Sequence, residues 1–170
     1  NIDLAVRGIV FGAVGTAGQR CTTLRRLIVH NSVYDVLLEK LKSAYASLPV
    51  GDNFKEETLV GPLINQESAD RMLSVLEQAK AKGYTVHGGE VVEGCTVRPA
   101  IVEATEQCDL IKTETFAPIL YVLKYTDLEE AINIHNAVPQ GLSSCIFTDN
   151  VQEAETFTSA VGSDCGIVNI

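Results

Sequence analysis

The chain has 170 residues, 46% of them hydrophobic and 21% charged, with a formal net charge of −9, the composition of a folded domain with room for one sizeable core. The acidic balance repels phosphate at long range, which argues against nucleic acid or an anionic membrane as partner but leaves room for a phosphate-bearing cofactor in a local pocket. No stretch approaches the roughly 20 apolar residues that span a bilayer, and no basic start precedes an apolar signal core.

Asp3 to Ala17 reads as a small-residue-rich helix, capped by Asp3 and with Val6, Ile9, Val10, Ala13 and Ala17 on one side. Leu27-Ile28-Val29 is β-prone. Ser32 then offers an N-cap with Asp35 in support, for a helix carrying Leu37, Leu38, Leu41, Tyr45 and Leu48 that Pro49 closes. A long connection from Val50 to Ile64 leads to Asn65, which can start a helix with Ala69, Met72, Leu73, Leu76 and Ala79 at helical spacing up to Gly83. That Met/Leu stripe reads as core packing.

Tyr84 to His87, Thr96 to Val102 and Ile119 to Tyr125 read as strands, the last too apolar to show its period. Thr126-Asp127-Leu128-Glu129 has the form of a capping box for a helix through Leu128, Ala131, Ile132 and His135. Ser143 to Thr148 is a further strand, Asn150 with Glu153 caps a helix through Phe157, and Gly166 to Ile170 is a terminal strand. Strands alternating with helices imply an α/β fold, a largely parallel sheet with flanking helices, and no repeat or linker divides residues 1–170 into more than one domain. A chain that stops inside a β-prone run reads as a piece of a larger protein.

The five cysteines (Cys21, Cys95, Cys108, Cys145 and Cys165) are odd in number and widely spaced, without a CxxC pair. They read as reduced thiols of a cytoplasmic protein rather than as disulfides or zinc ligands. His30, His87 and His135 also lack metal-ligand spacing, so no metal site is expected.

Cys21 stands apart from the others. Gly12, Gly15 and Gly18 approach it at three-residue intervals, and Arg20 adjoins it. Glycine permits tight turning and close backbone approach, and a neighbouring cation favours thiolate over thiol. Such a cysteine can attack an electrophilic carbon, although a cysteine in isolation is more often an inert, buried small hydrophobe.

Gly15-Thr16-Ala17-Gly18-Gln19-Arg20-Cys21-Thr22-Thr23 resembles the G-Q-x-C nucleophile motif of the NAD(P)-dependent aldehyde dehydrogenases, in the form found in the antiquitin-like branch. Glu114-Thr115-Phe116-Ala117-Pro118 is similar to the family's E-x-F-x-P. Gly141-Leu142-Ser143-Ser144 and Gly166-Ile167-Val168-Asn169 resemble two further segments in the same order. The resemblance extends over essentially the whole chain and implies an aldehyde dehydrogenase catalytic-domain fold.

From that resemblance, Cys21 is the nucleophile, passing through a thiohemiacetal and a thioester, with its backbone N–H as half of an oxyanion hole. Glu114 would bind the hydroxyls of the nicotinamide ribose, and Phe116 would pack near the nicotinamide of NAD, or of NADP. Arg20 would receive the far carboxylate of the substrate through paired N–H donors. The implied substrate is 2-aminoadipate 6-semialdehyde, an intermediate of lysine breakdown. Other aliphatic or betaine-like aldehydes, and a noncatalytic role for the same fold, are the alternatives. The family's cofactor-binding domain, its hydrolytic glutamate and its oxyanion asparagine would all precede Asn1. The 170-residue chain alone is therefore expected to be inactive, as part of a homotetrameric parent.

Overall fold

In the computed structural model of the protein, which describes residues 1–170, the Asn1 side-chain oxygen accepts the Leu4 N–H at 3.2 Å and α1 runs Ile2–Val14. Asp3, the expected cap, lies instead in the first helical turn, where a carboxylate complements the helix dipole, and it meets Lys40 at 2.9 Å. The helix buries Ala5, Ile9 and Ala13 and stops at Val14, short of the expected Ala17. Thr16, Ala17 and Gly18 take positive φ values of 56°, 53° and 70° in a tight 3-10 turn, which no α-helix can continue through.

β1 (Arg26–His30) leads into α2 (Tyr34–Ala46). No side chain caps α2: Ser32, expected in that role, has its hydroxyl 2.7 Å from the His30 ring instead. Leu37, Leu38, Leu41 and Tyr45 are buried, and the helix ends before Leu48 and Pro49. Asn65 caps α3 (Gln66–Ala81) as expected, accepting the Ser68 N–H at 2.9 Å. Ala69, Met72, Leu76 and Ala79 of its stripe are core.

β2 is Thr85–Gly88, with Tyr84 just outside it donating its hydroxyl to the Glu106 carbonyl at 3.1 Å. The run expected as one strand from Thr96 to Val102 is two. β3 (Val91–Glu93) pairs with β4 (Thr96–Val97) as a hairpin, and β5 (Ala100–Glu103) begins after Pro99, which has no N–H for a ladder. The short α4 (Asp109–Lys112) precedes β6 (Ile119–Tyr125). The capping box of α5 (Leu128–Asn136) lies one residue later than the sequence pattern suggested. Asp127 accepts the Glu130 N–H at 2.9 Å while Glu130 reaches back to the Thr126 N–H at 2.7 Å. β7 (Ser143–Cys145) is shorter than expected, Asn150 caps α6 (Val151–Thr158), and β8 (Ile167–Asn169) is the last strand.

The main sheet has the order β1-β6-β5-β2. β1, β6 and β5 are mutually parallel neighbours, β2 is an antiparallel edge strand, and β7 and β8 form a separate parallel pair. The α/β fold with flanking helices is therefore as expected, with a mixed rather than uniformly parallel sheet. Ile119 to Leu123 of β6 are buried consecutively, so both faces of this strand are covered, which is why its period was invisible in the sequence. α1 packs on α2 and β6, α3 on β2, and α5 on β1 and β6. A core cluster of 31 buried residues joins these elements. No helix is long and apolar enough to cross a membrane.

Leu41 is 0% exposed where α2 enters this core. Leu41→Ala removes buried methyl groups and leaves a cavity, an expected loss of about 2–5 kcal/mol in urea-denaturation stability with the secondary structure retained.

Candidate active site

The segment after α1 is shaped by its own backbone. The carbonyl of Arg20 accepts the Thr23 N–H at 3.1 Å, and the Thr23 hydroxyl accepts the Arg20 N–H at 3.2 Å. Cys21 and Thr22 thus form the tip of a hydrogen-bonded turn, with the Cys21 thiol exposed and its N–H donating to no protein acceptor. Gln19 anchors the turn to the connection before α3. Its amide donates to the carbonyls of Thr16 (3.2 Å) and Pro62 (3.4 Å), and its oxygen accepts the Ile64 N–H at 2.8 Å.

Gly18 sets how closely this turn meets the rest of the molecule. It adopts φ +70°, and a β-carbon there would overlap the backbone of Ala117 and Pro118. The Cys21 turn is therefore pressed, backbone against backbone, onto the segment that carries Glu114 and Phe116.

Cys21 and Glu114 line one cavity of about 620 Å³, whose other walls include Gly8 and Gly12 of α1, Thr23, His135 and Ser144. The structure thus brings together the two residues that the sequence motifs singled out separately. Phe116 and Arg20 lie outside the cavity lining. Phe116 has φ +59° and leaves 38% of its surface exposed. Arg20 folds back over the end of α1, with Nε donating to the Thr16 hydroxyl at 2.7 Å and the guanidinium 5.7 Å from the centre of the Phe11 ring. Its contacts are to a hydroxyl and an aromatic face, not to a protein carboxylate, so the cation is not consumed by a structural ion pair.

Sequence reasoning missed Arg25. Its guanidinium donates to the carbonyls of Ala117 (3.0 Å) and Arg20 (3.1 Å), lies 3.7 Å from Glu114 and sits 5.2 Å from the Phe116 ring centre. Burial lowers its pKa below the ordinary arginine value, and the Glu114 charge opposes that shift. Arg26 turns the other way, donating to Gln107 (2.7 Å) and to the carbonyls of Ile134 (2.9 Å) and His135 (3.0 Å). The signal was present in Leu24-Arg25-Arg26-Leu27, because two consecutive cations entering a strand must face opposite sides. His135 is held below its usual pKa by burial and by the Arg26 cation, against Asp164, and so faces the cavity as a neutral ring near pH 7.

This geometry, an exposed thiol on a constrained turn that shares a cavity with a half-exposed carboxylate, is matched by sequence relationships over the entire chain. The sequence pattern described as "Aldehyde dehydrogenase family" matches residues 1–170. The chain belongs to that family.

Among curated relatives, the Aldehyde dehydrogenase family 7 member A1 of Brassica napus is 47% identical over 100% of this chain and 35% of its own length. The Alpha-aminoadipic semialdehyde dehydrogenase of Bos taurus is 44% identical over 100% of this chain and 32% of its own. These relatives place this aldehyde dehydrogenase chain in the antiquitin-like branch. Among solved structures, a glyceraldehyde-3-phosphate dehydrogenase from Methanocaldococcus jannaschii, complexed with NADP, superposes with a TM-score of 0.94 at 33% identity, covering 100% of this chain and 37% of that one. The fold is thus the aldehyde dehydrogenase catalytic-domain fold, and the chain spans about a third of the length of the curated relatives it matches.

Gly18→Ala tests the backbone contact beneath the turn. A β-carbon at that φ and that distance must displace the Ala117 segment, so a loss of at least about 1–3 kcal/mol is expected on chemical denaturation. Cys21 alkylation should change in rate at the same time, because the turn and the Glu114 segment move together.

Proposed function

We propose that this chain is the nucleophile-bearing catalytic-domain part of a longer NAD(P)-dependent aldehyde dehydrogenase that oxidises an aldehyde to a carboxylic acid, with 2-aminoadipate 6-semialdehyde as substrate. The observation that carries the reading is the exposed Cys21 thiol at the tip of a fixed turn, on the same cavity as Glu114.

The Cys21 thiolate attacks the aldehyde carbon, forming a C–S bond while the carbonyl π pair moves onto oxygen. The free Cys21 N–H is positioned on the attacking residue itself, where it can donate to that oxyanion. Oxidation of that adduct to a thioester on Cys21 needs a two-electron hydride acceptor, which a nicotinamide held by Glu114 and Phe116 would supply. Water then adds to the thioester, the thiolate leaves and the carboxylic acid is released. The residues present suit such a cofactor. Glu114 carries a carboxylate with 43% of its side chain exposed and only a 3.7 Å ion pair, which leaves acceptor lone pairs for two ribose hydroxyls. Phe116 presents a partly exposed ring on the same segment. NAD, or NADP, as the cofactor and assembly as a homotetramer rest on the family resemblance.

The substrate assignment rests on Arg20 together with the branch. A guanidinium without a carboxylate partner, one residue from the nucleophile, favours an aldehyde whose far end is anionic and repels a quaternary ammonium. The side chain must swing off Thr16 and Phe11 to reach such a substrate.

Cys21→Ala in the full-length enzyme removes the attacking atom. It is expected to reduce kcat by more than about 1,000-fold while the calorimetric Kd for NAD stays within about threefold, since no cofactor contact is assigned to the thiol. Normal steady-state turnover by this variant would overturn the assignment.

Arg20→Ala tests substrate selection. The ratio of kcat/KM for the aminoadipate semialdehyde to that for a neutral aldehyde is expected to fall by a factor equivalent to about 2–5 kcal/mol. An unchanged ratio with reduced absolute rates would assign Arg20 to the shape of the turn instead.

A further inference from the structure

A guanidinium offers five N–H donors in one rigid plane and is costly to bury without partners. Arg25 leaves only 19% of its side chain exposed, and its partners come from two distant parts of the chain. One is the carbonyl of Arg20, five residues before it; the others are the Ala117 carbonyl, 92 residues after it, and the Glu114 carboxylate. The Phe116 ring closes over the same cation at 5.2 Å.

The Arg20 carbonyl and the Cys21 N–H belong to one peptide group. That carbonyl already accepts the Thr23 N–H at 3.1 Å, so the Arg25 bond, also 3.1 Å, occupies its second lone pair. Two donors on one side of a planar trans peptide fix its plane, and the N–H then points the opposite way. A cationic donor on the carbonyl also polarises the peptide and strengthens its N–H as a donor. At its other end the same cation braces the acid assigned to the ribose.

We propose that Arg25 is a positioning residue that couples the two halves of this site, fixing the plane of the Arg20–Cys21 peptide for the developing oxyanion and holding Glu114 for the cofactor. The inference rests on the reading of Cys21 and Glu114 given under Proposed function. It follows from four contacts that a single side chain makes to both segments, and it requires no movement of the backbone.

The test is a double-mutant cycle in the full-length enzyme with Arg25→Gln, Glu114→Gln and the pair, reading NAD affinity by calorimetry and kcat/KM for an aldehyde. Arg25→Gln is expected to weaken NAD about 10-fold, and the double variant to be no weaker than the worse single one, because Arg25 acts on the cofactor through Glu114. Arg25→Lys is the second arm. An ammonium keeps a charge beside Glu114 but cannot hold both carbonyls in one plane, so NAD affinity should return to within about threefold of wild type while kcat/KM stays depressed by about 10-fold or more.

A merely structural arginine would lower thermal stability without this split. Multiplying fold-changes in the cycle, unchanged NAD affinity in Arg25→Gln, or equal recovery of both readouts in Arg25→Lys would each overturn the proposal. Should Arg25→Gln fail to fold, the split in Arg25→Lys decides it alone. Glu114→Gln with wild-type NAD affinity, or Cys21→Ala with normal turnover, would refute the underlying site assignment and the proposal with it. An absent coupling with those two controls intact refutes the role of Arg25 only.

Discussion

Gly18 lies with its α-carbon against the carbonyl of Ala117, at a positive φ and a separation that admits no side chain. Every feature of the candidate site depends on that approach. It lets the end of the first helix turn sharply, brings the Arg20–Thr23 turn beside the Glu114–Pro118 segment, and places both within the span of one arginine side chain. The cost is local: Thr16 and Ala17 also sit at positive φ, a conformation that disfavours residues with a β-carbon. Burial of Ala17 and the Gln19 bonds to Thr16, Pro62 and Ile64 offset that strain from the surrounding structure.

Electrostatics in the site run against the molecule as a whole. The chain carries a net charge of −9, yet Arg20, Arg25 and Arg26 lie within six residues of Cys21. Each is directed differently: Arg20 to a hydroxyl and an aromatic ring, Arg25 into the site, Arg26 toward the end of α5. A local cationic region in an acidic protein attracts anionic small molecules at short range, while the overall field discourages polyanions. Arg20 and Arg25 thus remain at the Cys21 turn and the Glu114 segment, while Arg26 is taken up by the end of α5.

Much of the fold was legible because local signals and tertiary packing agree. Asn65, Asn150 and the Met72/Leu76 stripe behave as their spacing suggests, since an amphipathic helix with a good cap needs little from the rest of the chain. Where local alternatives were close in energy, the neighbouring structure chose. Asn1 took the cap from Asp3, a His30 bond drew Ser32 away from α2, and the α5 capping box formed on Asp127 and Glu130. Pro99 divided one apolar run into two strands, and the separation of β7 and β8 from the main sheet has no signature in local pattern at all.

The sequence alone determined the chemistry available to this protein. A glycine-led cysteine beside an arginine and an E-x-F-x-P segment are covalent facts, and their order along the chain carries the family resemblance. Only the tertiary structure decided which of these residues meet. Cys21 and Glu114 are 93 positions apart, and their common cavity exists because β1 and β5 flank β6 in parallel, which carries the turn before β1 and the segment before β6 to one end of the sheet. For Arg25 the sequence carried only the paired cations of Arg25-Arg26, without saying which of the two faces the site. An arginine at the start of a strand has no assigned partner until the sheet sets its direction, and here the strand's alternation sends it into the site and its neighbour Arg26 away from it.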